Sequence, residues 1–104
     1  MVIVVAPGDL GKPRPAIVVQ ADLTAQDSTT IIVCPLSSEV VETPMMRPVV
    51  DPTDGNGLRL RSQVMVDKIA ALRRPRIRAR IGSLEPDSMR LLDDALLTVL
   101  GLSS

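Results

Sequence analysis

The sequence predicts a small, mainly β (α+β) domain, built as a bent antiparallel β-barrel that carries one C-terminal α-helix. Short runs rich in β-branched residues recur along the chain, turn residues separate them, and only the last segment has helical periodicity. A helix of this kind must bury its apolar stripe on a β surface. Five or six short strands followed by one helix therefore favour a small barrel capped by that helix.

The N-terminal half is predicted to contain three strands. Residues 1–6 and 16–20 are aliphatic runs separated by a loop that contains Pro and Gly, which indicates an antiparallel hairpin. The polar stretch 21–28 interrupts the pattern. Residues 29–34 form the third run, and we expect this strand to end at Pro35, because proline cannot donate to a sheet ladder.

The following segments alternate between strands and turns. A short strand is predicted around residues 47–50, and residues 51–57 then have dense turn chemistry. We interpret residues 63–71 as a strand, although Ala70, Ala71 and Leu72 also suit a helical turn. Residues 76–81 alternate arginine with apolar side chains, which predicts a half-buried strand with a basic outer face.

The last element has the strongest local signals of the chain. Apolar residues recur at a spacing of three or four, as expected of one helix face: Met89, Leu92, Leu96 and Val99. Pro86 suits the first helical position and Gly101 is a natural stop. Leu84 stands at the spacing of a hydrophobic staple to Met89.

Composition bounds the class of protein. With 104 residues, the chain is predicted to form a single domain over residues 1–104, and its lack of aromatic residues requires an aliphatic core. No apolar run approaches the roughly 20 residues that span a bilayer, so we expect a cytoplasmic protein without a membrane partner.

The absence of histidine excludes several kinds of site. A serine triad normally requires it, and an ordinary zinc site cannot be built from one cysteine without it, so we expect neither of these sites. No cofactor is predicted. The lone Cys34 is interpreted as a small buried side chain. Acidic and basic residues balance overall, but residues 59–80 contain eight bases and one acid. Such a local field can attract a polyanion.

Three segments resemble the MazF/PemK (Kid) toxins of type II toxin-antitoxin systems: GKPRPAIVVQ, IIVCPLSS and SQVMVDKIAALRR before a terminal helix. The resemblance covers nearly the whole chain. It implies an SH3-like or CcdB-like barrel, a homodimer and a cognate antitoxin as partner. It also implies a metal-independent endoribonuclease, an RNA hydrolase that cleaves single-stranded RNA at short sequences (an mRNA interferase).

The resemblance also assigns candidate catalytic residues. The family's active-site arginine corresponds to Arg14, which precedes Pro15-Ala16, and its active-site hydroxyl corresponds to Ser37, with Ser38 as the alternative. A loop acid found in some members corresponds to Asp9. We expect RNA to contact Lys12, Ser38, Arg61, Gln63, Lys68, Arg73, Arg76 and Arg78.

Elementary chemistry agrees with these roles. Attack by the substrate's own 2′-hydroxyl needs a proton acceptor, a proton donor and positive charge near the phosphorus. Arg14 suits the last task, Ser37 can donate a hydrogen bond, and Asp9 is the candidate acceptor. The expected products are a 2′,3′-cyclic phosphate and a 5′-hydroxyl.

Two departures from the family are visible. Many members have an acid where Ser62 precedes Gln63, and aromatic rings that could stack on bases are absent, so arginine planes would have to serve instead. Two other functions stay open: a CcdB-like, non-enzymatic poison of DNA gyrase, and an inactive RNA-binding or antitoxin-sequestering relative. Arg14 and Ser37 favour the nuclease.

Overall fold

The computed structural model describes residues 1–5, 12–42 and 47–102. Within these ranges the chain forms seven β-strands and two α-helices. In chain order they are β1 (Val2–Val4), β2 (Arg14–Val18), α1 (Asp22–Ala25), β3 (Thr30–Ser37), β4 (Val49–Val50), β5 (Ser62–Val64), β6 (Ala70–Arg73), β7 (Ile77–Arg80) and α2 (Pro86–Val99). Two 3-10 turns, Val66–Lys68 and Arg74–Arg76, flank β6.

The six strand pairs among the described residues are all antiparallel, and β3 takes part in three of them. The strand order is β4-β5-β3-β2-β1-β7, and β6 pairs with the first half of β3, whereas β5 pairs with its end. The predicted β-rich α+β class is confirmed. Within the described ranges, however, the sheet does not close on itself: β7 pairs with β1 and with no other strand.

Two aliphatic clusters form the core. One includes Ile17, Cys34 and Leu36 of the sheet together with Leu92 and Ala95 of α2, so the helix buries its stripe on the sheet as expected. The other cluster contains residues of β1, β2, β3 and β6. Cys34 is fully buried, and this burial, with a smaller effect of the Asp67 charge, raises the pKa of its thiol to about 11.

The C-terminal helix follows the prediction closely. It begins at Pro86 and ends at Val99, and Gly101 takes a φ of 71°, a left-handed conformation that suits glycine after a helix. Both Leu84 and Met89 are half-buried against the same core. No helix among the described residues is long and apolar enough to cross a membrane.

Three features of the structure differ from the sequence prediction. The strand expected to end before Pro35 continues to Ser37; Pro35 lies between the β3 residues that pair with β6 and those that pair with β5, a position that tolerates a missing N–H. The single strand predicted over residues 63–71 is broken by the 3-10 turn Val66–Lys68. The polar stretch 21–28 contains the short helix α1.

The basic strand is also irregular. Arg76 lies in a 3-10 turn, and the β1–β7 register pairs Ile3 with Ala79 but Val4 with Ile77. Arg78 is therefore the extra residue of a bulge, which interrupts the alternation of faces. As a result Ala79 is exposed, although the alternation predicted that it would face inward.

A buried asparagine organises the turn between β4 and β5. Asn56 is 0% exposed, and its Oδ1 accepts hydrogen bonds from the N–H groups of Thr53 (3.1 Å) and Leu58 (2.9 Å). Its Nδ2 donates to the carbonyl of Asp51 (2.9 Å) and to Glu85 Oε1 (3.0 Å). This side chain thereby joins the turn to the residue that precedes α2.

Candidate active site

A groove of about 880 Å³ opens where the start of β2 lies beside the end of β3. Arg14 is the first residue of β2, Ser37 is the last residue of β3, and both line the groove. The register of these strands pairs Ala16 with Pro35, so its continuation by two residues brings Arg14 opposite Ser37. Two of the three predicted catalytic residues, Arg14 and Ser37, therefore line the same groove.

The two serines of this groove differ in their surroundings. Ser37 is half-buried, and its Oγ accepts a hydrogen bond from the N–H of Glu39 at 3.1 Å. The same hydroxyl can still donate its own hydrogen to a ligand. Ser38 is exposed and also lines the groove. The last residue of β3 and the residue after it therefore present two hydroxyls to the groove, and the Ser37 hydroxyl is the more firmly held.

The groove is strongly basic. Five of its described lining residues carry positive charge, whereas Glu39 is the one acid among them. The bases are Lys12, Arg14, Arg47, Arg59 and Lys68. A concave surface lined by charge of one sign concentrates ligands of the opposite sign. The groove therefore suits a polyanion.

One of these bases, Arg47, forms an ion pair within the protein. Arg47 donates from Nε to Asp67 Oδ1 and from Nη2 to Asp67 Oδ2, both at 3.0 Å. These hydrogen bonds, more than the accompanying charge attraction, hold the pKa of the Asp67 carboxyl below its usual range. The Arg47 fork is consequently occupied by Asp67 rather than offered to a ligand.

This ion pair gives a prediction for stability against pH. Folding lowers the pKa of Asp67, so the ion pair stabilises the fold fully at pH values above the pKa of aspartate in the unfolded chain. This stabilisation is lost as the pH falls through the lower pKa that Asp67 has in the folded protein. We expect Asp67→Asn to lower the free energy of unfolding at pH 7 by about 1 kcal/mol. The difference from wild type should shrink below about pH 4.

Urea unfolding at pH 7 and pH 3 checks this expectation. Asp51→Asn is the matched control, because the Asp51–Arg61 pair is longer, at 3.4 Å, and both side chains are well exposed. It should change stability little at either pH. Equal effects of the two substitutions at pH 7 would contradict the special role of the forked pair.

Side chains that bind metals do not cluster among the described residues. Residues 1–5, 12–42 and 47–102 hold no group of three or more His, Cys, Asp or Glu side chains arranged around one point. Among the described residues, the groove offers the Arg14 guanidinium, the serine hydroxyls, the Glu39 carboxylate and the surrounding cations.

Comparison with known proteins shows to which family this chain belongs. The sequence model of the PemK-like, MazF-like toxins of type II toxin-antitoxin systems matches residues 2–100. The chain belongs to this toxin family. A probable endoribonuclease MazF of Mycolicibacterium smegmatis is 34% identical over 94 residues, which cover 89% of this chain and 84% of that protein.

Solved structures of PemK/MazF-like toxins share the fold. Mycobacterium tuberculosis toxin MazF-mt6 superposes with a TM-score of 0.82 at 23% identity, covering 100% of both chains. A mycobacterial endoribonuclease solved in complex with its cognate antitoxin gives a TM-score of 0.83 at 21% identity, covering 99% of this chain and 93% of that one. At such identities these likenesses establish the fold alone.

Several of the predicted toxin-site residues meet in the groove, and others do not. The groove is lined by Lys12, Arg14, Ser37, Ser38 and Lys68. Asp9 lies outside the described residues. The remaining predicted RNA contacts, none of which lines the groove, are Arg61, Gln63, Arg73, Arg76 and Arg78. Their contact with RNA stays a prediction.

Among these outlying residues, the basic ones are exposed and Gln63 is not. Arg73, Arg76 and Arg78 project from β6, a 3-10 turn and β7. Gln63 is only 2% exposed, and its amide is bonded to backbone groups. A direct contact with RNA would require this amide to leave those partners.

Sequence reasoning did not single out three residues that line the toxin's groove. Arg59 belongs to the basic segment, and its excess of charge was the available signal. Glu39 directly follows the two serines. Arg47 gave no local signal, because its position depends on pairing with Asp67, which is 20 residues away in the chain.

Proposed function

We propose that this toxin is a metal-independent endoribonuclease that cleaves single-stranded RNA in the groove between β2 and β3. The observation that carries the proposal is the register that sets Arg14 opposite Ser37 within a basic groove. A relative 34% identical to this chain is named an endoribonuclease, which supports the same reaction.

The reaction proceeds by internal displacement at phosphorus. The 2′-hydroxyl oxygen bonds to the phosphorus while its proton passes to an acceptor, for which Asp9 is the candidate. The bond from phosphorus to the 5′-oxygen breaks, and that oxygen takes up a proton. The products are a 2′,3′-cyclic phosphate and a 5′-hydroxyl.

Arg14 and Ser37 stabilise the negative charge that develops on the phosphate during the reaction. The Arg14 guanidinium is planar and permanently charged, so it matches two non-bridging phosphate oxygens and offsets their growing charge. Ser37 donates a hydrogen bond to the same phosphate or orients the 2′-hydroxyl. Lys12, Arg59 and Lys68 hold the flanking phosphates in the groove.

The proposal includes the partners of the protein. The toxin works as a homodimer of this single domain, which extends the small aliphatic core by burying further apolar surface. A cognate antitoxin neutralises it by placing an acidic segment in the basic groove. The compartment is the cytoplasm, where the RNA substrate is made. A mycobacterial endoribonuclease solved with its cognate antitoxin supports the antitoxin as a partner.

The test is to incubate the purified protein with a long single-stranded RNA in the presence of EDTA and to map the ends of the fragments. We expect cuts at a small set of sequences, each leaving a 5′-hydroxyl. Addition of Mg²⁺ should weaken cleavage through screening of phosphate contacts rather than stimulate it.

Two outcomes would contradict the proposal. Fragments that carry only 5′-phosphate ends would exclude attack by the 2′-hydroxyl. Intact RNA, from protein that circular dichroism shows to be folded, would exclude the nuclease and favour a poison of DNA gyrase or an inactive RNA-binding relative.

A further inference from the structure

Gln63 holds the chain that leaves the candidate catalytic serine. Its Oε1 accepts the N–H of Val41 at 2.7 Å, and its Nε2 donates to the carbonyls of Val41 (2.7 Å) and Arg47 (3.2 Å). A carboxamide has the same donor and acceptor as a peptide group, so it satisfies Val41 as a neighbouring strand would. One buried side chain thereby anchors two backbone positions six residues apart.

The position of Gln63 in the sheet connects this anchor to the active groove. In the antiparallel register, Gln63 lies directly opposite Ser37 of β3 and opposite Val49 of β4. The chain beyond Ser37 is thus held twice: by the bond from Glu39 N–H to Ser37 Oγ, and by the bonds of Val41 to Gln63. Between these points lie Ser38 and Glu39, which line the groove.

The Arg47–Asp67 ion pair holds a second part of the groove lining. Arg47 lines the groove, its carbonyl is bonded to Gln63, and its guanidinium is bonded twice to Asp67. Asp67 lies in the 3-10 turn Val66–Lys68, whose Lys68 also lines the groove. Through Arg47, Gln63 and Asp67 therefore connect the part of the groove that contains Ser38 to the part that contains Lys68.

We propose that Gln63, supported by the Arg47–Asp67 pair, is a positioning residue that determines which RNA sequences fit the groove. This role rests on the proposed nuclease function. It replaces the direct contact with RNA predicted from the sequence, because the amide of Gln63 is buried and spends both its donor and its acceptor groups on Val41 and Arg47. Specificity then follows from the path of residues 38–41, which these bonds hold against the groove.

Two substitutions test this role, one of the buried Gln63 and one of Asp67 at the surface. Gln63→Met keeps the size of the side chain and removes its hydrogen bonds. Asp67→Asn weakens the outer pair at the surface, so it stays informative if Gln63→Met fails to fold. Gln20→Met is the matched control. The Gln20 amide also bonds to backbone on both sides, to Ile32 N–H (3.0 Å) and Thr24 O (3.1 Å), but neither of these partners lines the groove, whereas Val41 and Arg47 do.

Three measurements are made on each protein: hydrogen exchange of the Val41 amide by NMR, the pattern of cleaved sites on a long RNA, and kcat and KM on a short RNA. In Gln63→Met we expect Val41 to exchange at least about tenfold faster, because a buried hydrogen bond is lost. The KM should rise about tenfold while kcat changes less than about threefold, and cleavage should spread to additional sites. Asp67→Asn should add the same sites more weakly, and Gln20→Met should add none.

The contrary results are distinct. Unchanged site patterns and KM in Gln63→Met and Asp67→Asn would overturn the positioning role and leave the nuclease intact. Loss of preference at one base in Gln63→Met, with none in Asp67→Asn, would mean that Gln63 contacts RNA directly. A wild-type chain that cleaves no RNA while Val41 exchanges slowly would overturn the nuclease itself, because the exchange reports the anchor without any cleavage.

Discussion

Replacing Arg14 with alanine is expected to slow RNA cleavage by about 100- to 1000-fold, the cost of removing one preorganised group that stabilises transition-state charge. Arg14 is half-buried with its Nε inside the protein, so its charge acts in a medium less polar than water. Continuing the β2–β3 register by two residues also places it opposite Ser37. The measurement is kcat on a short RNA, with unfolding followed in parallel to correct for any loss of folded protein.

Two further variants separate charge from shape. Arg14→Lys keeps the positive charge but loses the planar fork, so we expect it to recover only part of the activity. Arg90→Ala is the control: Arg90 is exposed on α2, pairs with Asp87 and does not line the groove. It should cleave as wild type does. Full activity in Arg14→Ala would refute the assignment of the catalytic arginine.

Replacing Asn56 with alanine is expected to destabilise the fold by about 2–4 kcal/mol, the largest effect on stability that we predict for a residue outside the groove. The substitution leaves the buried N–H of Leu58, the N–H of Thr53 and the carbonyl of Asp51 without their partner. The midpoint of thermal unfolding should fall by roughly 10–20 °C.

The control for this effect is Asp54→Ala, an exposed substitution in the same turn, which should change stability by less than about 0.5 kcal/mol. Asn56→Asp distinguishes hydrogen bonding from size, because it removes the donor to Glu85 and brings a second carboxylate beside it. Chemical denaturation is the measurement. A stability of Asn56→Ala equal to that of Asp54→Ala would show that the network contributes nothing.

Local chemistry was sufficient to predict the elements whose signals lie within a few residues. Pro86, the apolar spacing and Gly101 defined α2. The two aliphatic runs around a Pro- and Gly-containing loop defined the β1–β2 hairpin. The same local reasoning failed at Pro35, because the partner of β3 changes there, and sequence alone does not reveal which strand lies alongside.

The sequence also predicts part of the candidate site. The Arg-Pro-Ala motif and the serine pair were readable in the sequence, and their meeting requires only that β2 and β3 be antiparallel neighbours.

By itself, the sequence determined that this chain is an aliphatic, β-rich toxin-like domain with a terminal helix, a candidate arginine and serine, and a basic segment. Only the tertiary structure decided which polar residues are buried and what they hold. Gln63 reaches Val41 across 22 residues, and Asn56 reaches Glu85 across 29. A side-chain amide has the same chemistry in a loop or in a core, so its role depends on partners that only folding brings within hydrogen-bonding distance.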